Sequence, residues 1–269
     1  MPKEYIHGYS TQEQQRLIQQ AQYWRDDLIL RDLHFACGEH LLELGCGVGA
    51  VLGVILEKFP DLTVAGIDLE SSQIDCAHQY LSTQGFSNID LHVGDAAQLP
   101  WPDASFEHIY AIWFLEHVSD PKAILKEAYR VLKPGGRITL TETDYKSHFI
   151  WPESPDYQYL LDAQCELFLY ANGNPYIGRI MAPLLTSAGF QDVTNIPWGF
   201  YRFRHAGSQD LHNWGEYFYA CVEPVLLTMV EKLGKDLERL RAGLEFIRNL
   251  STQPESVATV TIYRASGIR

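Results

Sequence analysis

The residues best suited to chemistry begin with an acid and a run of glycines. Glu43 ends the apolar stretch that starts at Leu41, and Gly45, Gly47 and Gly49 follow at every second position. Glycine lets the backbone turn sharply and, having no Cβ, lets a ligand approach it closely. A carboxylate before such a turn repels a pyrophosphate and attracts a cationic amino group. This stretch therefore predicts a nucleotide-like ligand with an amino-acid moiety.

The same glycines allow a second interpretation. Gly45, Gly47 and Ala50 also satisfy the dinucleotide-binding fingerprint G-x-G-x-x-G/A. Asp68 ends the next apolar run, 23 residues after Gly45 and near the ~20 expected for an acid that binds ribose hydroxyls. Leu69 would pack beside an adenine or belong to the core. Because NAD also carries ribose, these residues alone leave an NAD-linked oxidoreductase open.

A third acid follows another short apolar run. Asp95 and Ala96 come after residues 89–93, which predict a strand. The Asp95 carboxylate can accept from the exocyclic amine of adenine, and the next backbone N–H can donate to a ring nitrogen. The alternative is an Asp that only caps a turn. Its register with Glu43 and Asp68 favours ligand binding.

Helical stretches separate these apolar runs. Strands are predicted at residues 41–44, 62–67, 89–93, 105–113 and 137–142, and helices at 51–58, 71–83 and 122–132. Strands that alternate with helices predict a parallel sheet with helices on both faces. In such sheets ligands bind outside the carboxyl ends of the strands, where the three acids would meet.

Several motifs agree in order and spacing with one family. They are E-x-G-x-G-x-G at residues 43–49 and FEHIYAIWFLEHVSDP…LKPGGRITL at residues 106–140. Over about residues 38–143 the chain resembles class I S-adenosylmethionine-dependent methyltransferases of the small-molecule type, and NAD dehydrogenases lack these motifs. The resemblance implies an α/β fold, with a doubly wound, seven-stranded Rossmann-like sheet whose last strand is antiparallel.

The resemblance also implies the cofactor, S-adenosylmethionine, and the residues that bind it. By family motif these are Glu43, Gly45, Cys46, Gly47, Gly49, Asp68, Leu69, Asp95, Ala96, Ile112 and Trp113. Helices before the glycine loop often cover the pocket in such proteins, so Tyr9 is a further candidate. The alternative for that segment is a helix packed on the domain edge.

The rest of the chain provides material to cover the site. We expect one domain over residues 1–269, comprising an N-terminal cap (1–37), a cofactor-binding core (38–143) and a substrate side (144–269) with a helical insertion at about 200–255. Ser10 and Glu13 form a capping box for a helix that reaches about Leu28. We expect cap and insertion to close together over the cofactor, with core packing or a dimer surface as alternatives.

Candidates for acceptor binding follow the fourth and fifth predicted strands. They are His117, Tyr145, His148, Tyr176 and Arg179. Adjacent Glu116 and His117 do not make a metal site without further ligands, so no metal is expected. Arg179 could pair with a substrate carboxylate or with a surface acid. No catalytic base can be identified from the sequence.

Aromatic residues are frequent in the loops expected at this edge, which include a loop at residues 145–155. They are Trp113, Phe114, Tyr145, Phe149, Trp151, Tyr176 and Trp198. Such residues predict an enclosed, mostly apolar cavity that suits a small molecule. Together with the resemblance, this implies methyl transfer to a small molecule with S-adenosylhomocysteine as product. The alternatives are a protein or RNA acceptor, or a regulatory protein that binds S-adenosylmethionine without catalysis.

Composition narrows the partners. A formal net charge of −13 without a dense Lys/Arg cluster disfavours nucleic-acid binding. No apolar run reaches the about 18 residues that span a membrane, and the N-terminus lacks a signal-peptide pattern. Five widely separated cysteines without C-x-x-C fit a reducing compartment. We therefore expect a cytoplasmic monomer or homodimer that acts on a small molecule.

Overall fold

One sheet contains every strand predicted above. The computed structural model describes residues 5–87 and 89–269, and within them the chain forms a seven-stranded sheet. Its strands are β1 (His40–Leu44), β2 (Thr63–Asp68), β3 (Asp90–Val93), β4 (Phe106–Ile112), β5 (Leu132–Trp151), β6 (Gln191–Phe203) and β7 (Val257–Ile268). Their order is β3-β2-β1-β4-β5-β7-β6, with β1 to β5 parallel and β7 antiparallel to both its neighbours. The predicted fold class is confirmed.

Helices cover both faces of the sheet. They are α1 (Thr11–Tyr23), α2 (Ala50–Lys58), α3 (Ser71–Thr83), α4 (Pro121–Val131), α5 (Pro155–Tyr170), α6 (Met181–Ala188), α7 (Asp210–Val222), α8 (Leu226–Leu233) and α9 (Leu237–Arg248). Successive strand residues point to opposite faces. Leu41 of β1 accordingly packs into a buried cluster with α2, and Leu42 into another with α4 and α6.

The strand order reverses at β1, and this reversal positions the site. Strands β2 and β3 extend the sheet on one side of β1, while β4 and β5 extend it on the other. A crevice forms at such a reversal, outside the carboxyl ends of the strands. The glycine loop follows β1 directly and leads into α2, so both lie at this crevice.

The helical insertion packs against α5. Helices α5, α7, α8 and α9 share a third buried cluster that includes Trp214 and Leu244. Helix α7 ends at Val222 and a 3₁₀ turn at Glu223–Val225 carries Pro224, as expected for a residue that breaks helices. The insertion is thereby held beside the carboxyl edge of the sheet.

The prediction of a loop at residues 145–155 is wrong for residues 145–151, which belong to β5. After an irregularity between Asp144 and Phe149, β5 resumes pairing with β7 as far as Trp151. Phe149 and Trp151 are apolar, yet 67% and 55% of their surface is exposed. A strand is recognised in a sequence when apolar residues alternate with polar ones, and this stretch lacks that pattern. Strand β6 runs as far as Phe203, so the helical insertion expected from about residue 200 begins only at α7.

Candidate active site

A cavity of about 270 Å³ opens at the carboxyl ends of the central strands. Its glycine-loop side is formed by Glu43, residues 45–48, Asp68, Leu69, Asp95, Ala96, Ile112 and Trp113. Its aromatic side is formed by Tyr5, His7, Glu116, His117, Tyr145, His148, Gln164, Trp214, Tyr217, Phe218 and Cys221. The N-terminal segment, the sheet and the helical insertion thus contribute to one cavity.

The glycine loop needs glycine for two reasons at Gly45. Its φ of +67° is left-handed, and a Cβ there would lie 2.3 Å from Cδ2 of Phe114. The N–H groups of Gly45 and Cys46 donate to the Ile67 carbonyl at 2.9 and 3.0 Å, which fixes the turn against β2. Gly49 lies outside the cavity lining and begins α2 in a left-handed conformation.

Two carboxyl groups stand behind the loop. Glu43 is 2% exposed, and its Oε2 has no hydrogen-bond partner among the described residues. Burial, with the Asp68 charge beside it, raises the pKa of Glu43 well above its ordinary range. Asp68 accepts from Gly47 N–H through Oδ2 at 2.9 Å and from Glu70 N–H through Oδ1 at 3.0 Å. A cationic group bound here would supply Glu43 with its missing partner.

The remaining residues on the glycine-loop side of the cavity differ in their exposure and in the hydrogen bonds that they already make. Leu69 is 53% exposed at the cavity. Asp95 caps a turn, since its Oδ1 accepts from Ala97 N–H at 2.9 Å, and it also lines the cavity. Trp113 has a left-handed φ of +49° and donates its indole N–H to Thr143 Oγ1 at 2.9 Å. Strained backbone of this kind clusters at binding sites.

The cap residue predicted to reach the ligand lies beside these acids. Tyr9 lines the cavity, and burial followed by the Asp68 charge raises the pKa of its hydroxyl. Tyr5 and Tyr9 stack with ring centroids 5.6 Å apart. The N-terminal segment therefore runs along the cavity from the glycine-loop side to the aromatic side.

The aromatic side is a continuous wall of rings. Tyr5 lies 4.9 Å from His117, and His117 lies 5.2 Å from Phe168, between ring centroids. Phe168 lies 4.8 Å from Tyr145, whose ring is 6.1 Å from that of His148. Trp214 and Phe218 of α7 continue the wall, with centroids 6.0 and 5.8 Å from His148.

Sequence reasoning missed several residues of this wall. They are Tyr5, His7, Gln164, Trp214, Tyr217, Phe218 and Cys221. The sequence shows an aromatic stretch at 214–219, and core packing is the favoured interpretation of it, with a lid or a dimer surface as the alternative. Trp214 and Phe218 in fact do both, because they also belong to the buried cluster of the insertion. Gln164, in the middle of α5, carried no signal.

Two substrate-side candidates lie outside the cavity. Arg179 forms a two-point ion pair with Asp144, at 2.8 Å from Nε and 2.7 Å from Nη2, and Tyr176 lies beneath its guanidinium. The aromatic prediction also fails for Phe149, Trp151 and Trp198, which line no part of the cavity. Phe149 and Trp151 lie on the extension of β5 and are exposed, whereas Trp198 of β6 is buried in the same cluster as Leu41.

The histidines of the aromatic side are neutral. Burial lowers the pKa of His117 to about 3 and that of His148 to about 4. Burial, reinforced by the Arg16 charge, also lowers the pKa of His7 well below its ordinary value. Arg16 is itself 8% exposed and paired with Glu13 at 2.6 Å. The cavity therefore presents imidazoles without positive charge at neutral pH.

Two buried carboxyl groups meet at the floor of the aromatic side. Glu142 Oε1 accepts from the N–H groups of Phe114 and Leu115 at 3.0 and 2.6 Å. Glu116 accepts from the Tyr145 hydroxyl at 3.0 Å and lies beside Glu142, whose charge acts on it. Burial raises the pKa of both acids, that of Glu142 to about 8. The pair therefore keeps a proton at neutral pH.

We expect Glu142→Gln to flatten the decline of stability between pH 6.5 and 8.5. A carboxyl whose pKa rises from 4.5 to about 8 on folding stabilises the fold below pH 4.5 and loses this contribution as pH rises through about 8. Each such proton gives a slope of up to about 1.4 kcal/mol per pH unit. The histidines with lowered pKa change the pH dependence of stability only below about pH 6.5, where they take up protons in the unfolded chain. Urea unfolding at each pH measures the slope.

The exposed Glu153 provides the matched control. Glu153→Gln should leave the slope of the wild-type protein unchanged. Equal slopes in the wild type and Glu142→Gln would contradict a proton held between Glu116 and Glu142.

Two features are absent from the described residues, a metal-binding cluster and a membrane-spanning helix. Within residues 5–87 and 89–269, no group of three or more His, Cys, Asp or Glu side chains is arranged to hold a metal ion. In the same part of the chain, no helix combines the length and the apolar character needed to cross a membrane.

The part of the chain that forms the glycine-loop side of the cavity is similar to known sequences. The sequence model of a family described as "Methyltransferase domain" matches residues 42–140. A demethylmenaquinone methyltransferase of Geobacillus kaustophilus is 30% identical over 190 residues, covering 66% of this chain and 81% of the relative. A sterol 24-C-methyltransferase of Aspergillus fumigatus is 33% identical over 178 residues, covering 65% of this chain and 41% of the relative. The chain thus matches less than half the length of the sterol enzyme.

Comparison with solved structures bears on the fold. Phosphoethanolamine N-methyltransferase 2 of Haemonchus contortus, in complex with S-adenosyl-L-methionine, aligns with a TM-score of 0.55 and 16% identity. The alignment covers 95% of this chain and 52% of that one. At this identity the likeness concerns the sheet and its helices alone.

Proposed function

The chain belongs to the class I S-adenosylmethionine-dependent methyltransferases, and from this premise we propose that its acceptor is a small, largely apolar molecule. The observation that carries the proposal is the aromatic side of the cavity, walled by α5, α7 and the N-terminal segment. A cavity with aromatic walls and few polar groups is typical of small-molecule sites. The names of two relatives, a sterol and a demethylmenaquinone methyltransferase, support this substrate class.

The glycine-loop side fits the cofactor. Glu43, with its unpartnered Oε2, would hold the amino group, and Gly45, which leaves room for the Phe114 ring, lines the same side of the cavity. Asp68 would accept from the ribose hydroxyls, and Asp95 and Ala96 would bind the adenine edge. S-adenosylmethionine supplies an activated methyl group when bound. What remains for the protein is to align the acceptor and exclude water.

The aromatic side would perform that alignment. Trp214 and Phe218 are buried and fixed by the helical insertion, so they form a rigid apolar surface for the acceptor. An acceptor that must lose a proton needs a base near its nucleophilic atom. Glu116 lines the cavity, and its Oε2 has no hydrogen-bond partner among the described residues. Because burial raises the pKa of Glu116, this carboxyl keeps a proton at neutral pH and does not serve as that base.

Labelled methyl transfer tests the proposal. The purified protein is incubated with methyl-labelled S-adenosylmethionine and a cell extract, which is then separated into an organic extract, protein and RNA. We expect the label in the organic extract, with an equal amount of S-adenosylhomocysteine formed. Asp68→Ala serves as a control that should reduce the signal.

The other acceptor classes correspond to the other results of the same experiment. Label in protein or RNA would overturn the small-molecule proposal. An RNA acceptor is disfavoured by the net charge of −13, because phosphate contacts need clustered cations. If S-adenosylhomocysteine stays at the background level and no fraction is labelled, the protein binds the cofactor without catalysis.

A further inference from the structure

On the aromatic side, three polar atoms besides Glu116 Oε2 lack hydrogen-bond partners among the described residues. They are His7 Nδ1, His148 Nδ1 and Gln164 Oε1, all buried. Buried polar atoms are normally hydrogen-bonded, because an unmade bond costs about 1–3 kcal/mol. Three such atoms lining one cavity indicate that a ligand supplies the missing bonds. This inference rests on the proposed function, since it concerns the acceptor that the aromatic side would bind.

Two of these atoms lie on elements that converge on the same wall. Gln164 is 4% exposed on α5 and precedes Phe168 by one helical turn, which places both on one face of the helix. Phe168 contacts Tyr145, and the ring of Tyr145 faces that of His148 at 6.1 Å. Gln164 therefore lies on the face of α5 that meets Tyr145, and both Gln164 and His148 line the cavity.

The charges around this wall are already paired. Arg16 forms its ion pair with Glu13, and Glu116 and Glu142 are protonated because burial raises their pKa values. The imidazoles of His148, His117 and His7 are neutral because burial lowers their pKa values. An ionised group on the acceptor would find no free counter-charge on the aromatic side. An unpaired buried charge is strongly unfavourable, so the acceptor's polar group is expected to be uncharged.

We infer that Gln164 and His148 together bind a hydroxyl group on an otherwise apolar acceptor. A hydroxyl both donates and accepts, so it can donate to Gln164 Oε1 and accept from the imidazole N–H. The rings of Trp214, Phe218 and Tyr145 bind the apolar body around it. Gln164 and His148 are thus specificity-determining residues, which select a hydroxylated acceptor over its parent hydrocarbon.

A pair of probes that differ only in a hydroxyl tests the inference. Binding of 2-naphthol and of naphthalene to the protein saturated with S-adenosylhomocysteine is measured by calorimetry. We expect 2-naphthol to bind about tenfold more tightly, as one well-made buried hydrogen bond allows. Gln164→Leu and His148→Phe should each remove most of this ratio and leave the affinity for naphthalene within about twofold, since the apolar wall is kept.

The control is Gln158→Leu, because Gln158 is exposed on the same helix and bonds only to Asp162. It should retain the wild-type ratio. A ratio near one in the wild type overturns the inference, and so does the absence of saturable binding by either probe. A ratio that survives both Gln164→Leu and His148→Phe also overturns it.

These measurements are independent of the test of the proposed function. They require no turnover, so label transfer to protein or RNA would refute the proposed function without changing the probe ratio. Conversely, transfer to a small molecule together with a probe ratio near one would keep the function and reject the hydroxyl-binding role.

Discussion

Asp68→Ala should weaken S-adenosylhomocysteine binding about 5- to 150-fold. Asp68 ends β2 with its Oδ2 on Gly47 N–H and its Oδ1 on Glu70 N–H. Alanine would leave these N–H groups and the ribose hydroxyls of the ligand without their acceptor. Stranded partners of this kind cost about 1–3 kcal/mol. Calorimetry on the folded variant measures the change.

Asp75→Ala is the matched control, because Asp75 is exposed on the adjacent helix α3. Its affinity for S-adenosylhomocysteine should equal that of the wild type. Asp68→Asn should fall between wild type and alanine, since one carbonyl oxygen still accepts a hydrogen bond. Equal affinities for Asp68→Ala and Asp75→Ala would remove Asp68 from the cofactor site.

Deleting residues 1–9 should lower both turnover and S-adenosylhomocysteine affinity about tenfold or more. Tyr5, His7 and Tyr9 line the cavity, and an aromatic or apolar side chain loses about 1.5–3 kcal/mol of burial when it is removed. The deletion also opens the cavity to water, which a covering segment excludes. The fold should survive, because Ser10 remains to accept from Glu13 N–H and cap α1.

The cap and the insertion should respond together to the ligand. Arg16 of α1 lies 3.2 Å from the Cys221 sulfur of α7, and Tyr23 stacks on Tyr217 with centroids 4.9 Å apart. Hydrogen exchange in both helices should therefore slow when S-adenosylhomocysteine binds. Unchanged exchange, with unchanged turnover of the truncated protein, would mean that these segments only pack against each other.

Tyr5→Phe separates the covering role from a single hydrogen bond. It removes the bond from the Tyr5 hydroxyl to Glu13, 3.2 Å long, and keeps the ring. Turnover and affinity close to wild type are expected for this variant. A loss as large as that of the deletion would assign the effect to the Glu13 contact instead.

The sequence by itself determined the family, the sheet and the cofactor. It could do so because each of these depends on local order. Glu43, the glycines, Asp68 and Asp95 lie at or just after the carboxyl ends of strands, and parallel strands bring these ends to one edge of the sheet. The structure accordingly places Glu43, Asp68 and Asp95 around one cavity.

Only the tertiary structure decided which residues form the aromatic side. Tyr5, Gln164 and Trp214 come from three segments far apart in the chain, and each resembles an ordinary packing residue within its own segment. The same holds for Arg179, whose pairing with Asp144 depends on how far β5 extends before its irregularity. Such contacts depend on packing between elements that are distant in the chain. They therefore leave no pattern of residue spacing from which they could be predicted.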